Sequence, residues 1–217
     1  HSNLGVILRD LGKLQELLLL SKSTLETRSI NQGHKLFALL EITIANLILG
    51  NFSETLLNLN KTNISIQRGD LDFIKDNKNK KNIFVYSQFI TSLYPHLLID
   101  NCNKYSEIIP HIGESHCLSF AHQTLSISSQ IKKIQPVLIM GGKAWHFANS
   151  KYNKWKDILS QQIKKHTYSN KVLISFGEID CRKNEGILNY AINNDKNISE
   201  VCEKTITGYL NYLEEIL

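Results

Sequence analysis

Two stretches constrain the fold of this chain more than any other: His111-Ile112-Gly113-Glu114-Ser115-His116, and Ser175-Phe176-Gly177-Glu178-Ile179-Asp180-Cys181-Arg182. Each closes an apolar, β-branched run with a glycine and then a group of polar side chains. A short run that is apolar on both faces reads as a buried parallel strand. Polar residues just beyond such a strand sit at the carboxyl edge of an open α/β sheet, where these sheets bind ligands. Three strands are expected, at Ile108–Ile112, Pro136–Met140 and Lys171–Phe176, the second ending in Gly141-Gly142. Between them the pattern predicts a helix over Cys117–Ser126, with Leu118, Ala121 and Leu125 on one face, and helical stretches at Trp145–Phe147 and Tyr152–His166. Strands alternating with helices imply right-handed crossovers and a parallel sheet. Gly113, Gly141 and Gly177 then share one edge, and Glu185–Ile192 and Ser199–Leu217 are outer helices.

The first third is helical and contains an internal echo. Leu11-Gly12-Lys13-Leu14-Gln15-Glu16 recurs 38 positions later as Leu49-Gly50-Asn51-Phe52-Ser53-Glu54. Each copy reads as helix, tight glycine turn and second amphipathic helix. Residues 3–16 resemble the first helix and turn of a tetratricopeptide (TPR) repeat, and the likeness covers residues 1–66. It departs where a small residue is expected early in the second helix, since Leu17 and Thr55 stand there, and in lacking a closing proline. A plain helical hairpin fits the same pattern. If this is a degenerate repeat pair, the resemblance implies a protein partner and an apolar face that neighbouring segments must cover. Residues 67–106 form a linker, charged and asparagine-rich at first, then a helix at Ile83–Ile99 with a break or kink at Pro95.

The 217 residues carry 25 basic and 20 acidic side chains, a net charge of +5. The lysine run from Lys75 to Lys81 contains no aromatic residue to stack on bases, which argues against nucleic-acid binding. No apolar run reaches membrane-spanning length, so no membrane partner is expected. Cys102, Cys117, Cys181 and Cys202 show neither CxxC spacing nor a Cys/His ligand pattern. Free thiols in a cytoplasmic, reducing setting follow, with no metal and no cofactor. The sequon triplets at Asn51, Asn60, Asn63 and Asn197 are what so asparagine-rich a chain produces by chance. Starting at His1 and ending within a helical pattern, the chain reads as a fragment.

Gly113-Glu114-Ser115 resembles the Gly-Asp-Ser block of the SGNH or GDSL hydrolase superfamily, with glutamate in place of aspartate. Gly141 or Gly142 matches that family's second block. Gly177-Glu178-Ile179-Asp180 matches its third, Gly-x-Asn-Asp, with Ile179 where the oxyanion-binding asparagine belongs. The resemblance covers residues 107–217 and implies a three-layer, flavodoxin-like α/β domain with Ser115 as nucleophile. Repeats followed by these two motifs resemble a group of bacterial proteins. The family's closing Asp-x-x-His is missing, because no histidine follows Arg182; the base is expected beyond Leu217.

The catalytic candidates are therefore Ser115, Glu178 and Asp180. Gly113, Gly141, Gly142, His116 and Arg182 are candidates for the oxyanion and substrate. Each has a structural alternative: Ser115 as a helix N-cap, His116 and His122 as ordinary surface or core histidines, Asp180 with Arg182 as an ion pair, Trp145 and His146 as core beside Phe147. The leading function is serine ester hydrolysis, with a small ester or an acylated glycan as substrate, fused to a protein-binding helical segment. A non-catalytic interaction protein and a sugar- or peptide-modifying transferase are the other two readings.

Overall fold

Gly12 and Gly50, the paired glycines of the sequence echo, take the same left-handed conformation, with φ of +65° and +77°. At the first turn Gly12 N–H donates to Arg9 O and Lys13 N–H to Leu8 O. At the second, Gly50 N–H donates to Leu47 O and Asn51 N–H to Asn46 O. Both are Schellman turns, which use up the orphan carbonyls of a helix end and favour glycine because no Cβ crowds the left-handed residue. They join α1 (Ser2–Asp10) to α2 (Leu14–Glu26), and α3 (Gln32–Leu49) to α4 (Phe52–Gln67). A 3₁₀ turn at Asp70–Phe73 leads to α5, Asn77–Asp100, which runs through Pro95. The computed structural model describes residues 2–100, 105–127 and 129–217, so Cys102 lies outside the described residues.

The chain divides into two units by its contacts: residues 1–107 with 119–135, and residues 108–118 with 136–217. In the first unit Leu8, Leu17, Leu18, Ile42 and Ala45 form a buried cluster among α1, α2 and α3. Asn31 starts α3 by accepting the His34 N–H, and the buried Thr55 and Thr62 of α4 return their hydroxyls to the carbonyls four residues back, leaving neither unsatisfied. An ion pair crosses this core, with Arg9 Nη1 2.6 Å from Glu41 Oε1. Burial raises the Glu41 pKa while Arg9 opposes the rise.

The helix expected over Cys117–Ser126 does not form. A 3₁₀ turn covers Ser115–Phe120, and β2 (Thr124–Ile127) then pairs antiparallel with β3 (Gln130–Leu138), Thr124 facing Lys133 and Ile127 facing Gln130. His122 breaks the helical pattern at φ +59°. That conformation is held within the first unit: its backbone N–H donates to Ile134 O, and its ring Nε2 donates to Leu47 O at 2.7 Å. Gln135 Nε2 donates to the neighbouring Ile48 O. Gln135 thus caps the Ile48 carbonyl at the end of α3, and His122 adds a second hydrogen bond to the Leu47 carbonyl that Gly50 already engages, so a tertiary contact overrides the local apolar periodicity.

The sheet has the order β2-β3-β1-β4, where β1 is Glu107–Gly113 and β4 is Leu173–Ser175. β1 and β4 are parallel, with Gly113 opposite Ser175. Bonds from Ser106 N to Ile131 O and from Ile139 N to Gly113 O advance in the same sense along β1 and β3, so β3 also runs parallel to β1 and β2 is the antiparallel edge. The fold is thus mixed α/β with a helical N-terminus and a four-stranded mixed sheet. In the second unit Phe147, in the short α6 (Ala144–Ala148), is fully buried against Phe176, Tyr209 and Tyr212. The remaining helices are α7 (Lys154–Lys165), α8 (Gly186–Asn193) and α9 (Ile198–Ile216). Among the described residues no helix is long and apolar enough to cross a membrane.

Candidate functional site

The end of β1 approaches β4 so closely that a Cβ on Gly113 would lie 2.3 Å from Ser175 Oγ and 2.7 Å from Ser175 O. Only a residue without a side chain fits this contact. It brings the two sequence motifs together. Glu114 N–H donates to Ser175 O, and the Glu114 side chain turns inward, 2% exposed, where its Oε1 accepts the Glu178 N–H at 3.1 Å. Its Oε2 is buried with no hydrogen-bond partner among the described residues. Burial raises the Glu114 pKa; His116 is the largest opposing influence and Glu178 adds to the rise.

Ser115 begins the 3₁₀ turn and is half-buried, and no described residue hydrogen-bonds its hydroxyl. The exposed His116 lies with Nδ1 3.9 Å from Glu114 Oε1. Glu178 is held from the far side by Arg182, whose Nε and Nη2 donate to its two carboxylate oxygens at 3.1 and 2.6 Å. This pair lowers the Glu178 pKa. Ligand atoms of Glu114, His116 and Glu178 all lie within 4.8 Å of one another.

Asp180 occupies a different place. It is 1% exposed, and its Oδ2 and Oδ1 accept the N–H groups of Ala144 and Trp145 at 2.7 and 3.2 Å. A carboxylate on the free amides at the start of α6 is a helix anchor. Burial raises its pKa against those two bonds. Its partner is therefore backbone, whereas Arg182 pairs with Glu178 and, at 3.8 Å, with Glu185. Of the two candidate oxyanion glycines, Gly142 spends its N–H on Ile139 O, while no described residue accepts from Gly141. Trp145 packs on Tyr190, and His146 stacks on Trp155.

A further polar pair lies beneath this edge and was missed by sequence reasoning: His111 Nε2 and Ser175 Oγ, 2.8 Å apart. Burial lowers the His111 pKa, favouring the neutral ring. The pair is set by the register that places His111 opposite Leu173 and Gly113 opposite Ser175, and register is not written in either motif alone. Inward-facing Glu114 could have been found from its position immediately after the buried strand end. Compared with known proteins, the chain matches no family model, no curated protein and no solved structure.

Proposed function

We propose that residues 107–217 form a serine ester hydrolase of the SGNH type, with Ser115 as nucleophile, acting on a small ester or an acylated glycan. The observation that carries this reading is the Ser115 hydroxyl, which stands unengaged at the end of β1, on the edge that Gly141 and Glu178 also approach from their strands. Attack of its oxygen on the ester carbonyl gives a tetrahedral oxyanion, for which the N–H groups of Ser115 and Gly141 are the donors. Collapse expels the alcohol and leaves an acyl-serine, which water then cleaves. The serine proton needs a base, the role that the closing Asp-x-x-His fills in the SGNH superfamily. Glu178 and Arg182 border the substrate, while Asp180 supports the edge by anchoring α6. The unpaired thiols of Cys117, Cys181 and Cys202 support a cytoplasmic setting.

The test is turnover of a panel of aryl esters by the full-length protein. Ser115→Ala is expected to remove activity to the uncatalysed background while leaving the thermal unfolding midpoint unchanged, and retained turnover would exclude Ser115 as nucleophile. A second reading is a non-catalytic interaction protein working through the TPR-like residues 1–66. It is favoured by Ile179 in the asparagine position and by the use of Asp180 as a helix anchor. An inactive full-length protein that binds a protein partner through residues 1–66 would establish it.

A further inference from the structure

We propose that Glu114, His116 and Glu178 form a binding site for one divalent transition-metal ion, Zn²⁺ by its chemistry. This revises the expectation from sequence of no metal, where the absence of familiar Cys/His spacings was decisive. The ligands come instead from two strand ends far apart in the chain, brought together by the pairing of β1 with β4.

Two independent observations support the site. The first is geometric: one imidazole nitrogen and two carboxylate oxygens lie within 4.8 Å of one another. Around a tetrahedral Zn²⁺ with bonds near 2.0–2.1 Å, ligand atoms are about 3.3 Å apart. Closing the gap calls on rotation of the His116 and Glu178 side chains, which are 54% and 45% exposed. The second is electrostatic: Glu114 is a buried carboxyl whose Oε2 has no hydrogen-bond partner among the described residues. A buried, unpaired carboxylate oxygen costs free energy that a directly bound cation recovers.

The mixed donor set selects the ion. Mg²⁺ and Ca²⁺ prefer oxygen ligands throughout, whereas imidazole with carboxylate suits Zn²⁺ and its first-row neighbours. Three protein ligands leave a fourth position for water or substrate, as in catalytic rather than structural zinc sites. Arg182 is the competitor: its guanidinium holds both carboxylate oxygens of Glu178 in a bidentate, partly exposed pair. Metal binding at Glu178 has to displace that pair, which is why removing Arg182 is expected to tighten it.

The site is tested by binding and does not depend on Ser115 being a nucleophile. The purified chain, stripped with a chelator, is titrated calorimetrically with Zn²⁺ and then with Mn²⁺. The expected result is one ion per chain, bound at least tenfold more weakly by His116→Ala and by Glu178→Gln and more tightly by Arg182→Gln, whose Glu178 is released. Both weakening substitutions lie at exposed side chains, so the fold is retained, with circular dichroism as the check; Glu114→Gln, at a buried position, is the supporting variant. Mn²⁺ bound in place of Zn²⁺ with the same losses upholds the site. Failure to bind either ion overturns it, as does binding that both His116→Ala and Glu178→Gln leave unchanged, which would place the ion on other histidines.

Discussion

At His146 the surroundings select one protonation state. The ring lies flat against Trp155, its Nδ1 accepts the Lys143 N–H at 3.2 Å, and Lys143 and Lys154 stand near it. An accepting nitrogen carries no proton, so the geometry requires the neutral ring. Burial first, then the two lysines, push its pKa down to about 4 from an ordinary value of 6.5. A base whose folded pKa lies below its unfolded one leaves the unfolded chain holding more protons in between. Its contribution to stability is therefore complete above pH 6.5 and is lost as pH falls toward 4. After allowance for solvent screening this is on the order of 1–2 kcal/mol. Thermal unfolding midpoints measured across that interval should fall, and His146→Gln should flatten the slope. His111 and His122, also lowered by burial, keep part of it in the variant. An unchanged slope would mean that His146 does not hold the neutral state.

The pairing of β1 with β4 depends on Gly113. In Gly113→Ala the new methyl meets both the hydroxyl and the carbonyl oxygen of Ser175. Neither strand can give way without losing the Glu114 N–H to Ser175 O bond. The expected loss is about 1–3 kcal/mol, measured by thermal denaturation, with only partial recovery on adding Ser175→Ala because the carbonyl contact remains. This contact also shows where the sequence was readable. The β1 and β4 runs, the glycines that end them and the helices at 144–148, 154–165, 186–193 and 198–216 follow from apolar runs and periodicity. The hairpin of β2 and β3 was not legible, because Leu118, Ala121 and Leu125 imitate a helical face. The opposing signal is the left-handed His122, held by the end of α3, some 75 residues earlier. The same limit hid part of the site: the motifs named Ser115, Glu178 and Asp180, but which carboxylate faces which partner depends on register and on α6. Local spacing specifies neither.

The division of the whole chain into units is discontinuous, since the hairpin residues 119–135 group with the N-terminal helices while residues 108–118 group with the rest. Within that first unit the hairpin does specific work. His122 and Gln135 donate to Leu47 O and Ile48 O, and the His122 ring meets Phe52 edge-on at 5.3 Å. A fragment of residues 1–107 loses both side-chain donors and uncovers Phe52, although Leu47 O keeps its bond from Gly50 N–H; a fragment of residues 1–135 retains every one of these partners. Each hydrogen bond is worth about 0.5–1.5 kcal/mol net, and the aromatic contact adds a similar amount. The longer fragment should therefore unfold at a higher temperature than the shorter by about 2 kcal/mol of stability. The double variant His122→Ala with Gln135→Ala in the longer fragment should remove most of that difference. Equal stability of the two fragments would show that the helices need nothing from the hairpin. A difference that survives the double variant would trace it to the strands themselves, where Lys132 pairs with Glu107.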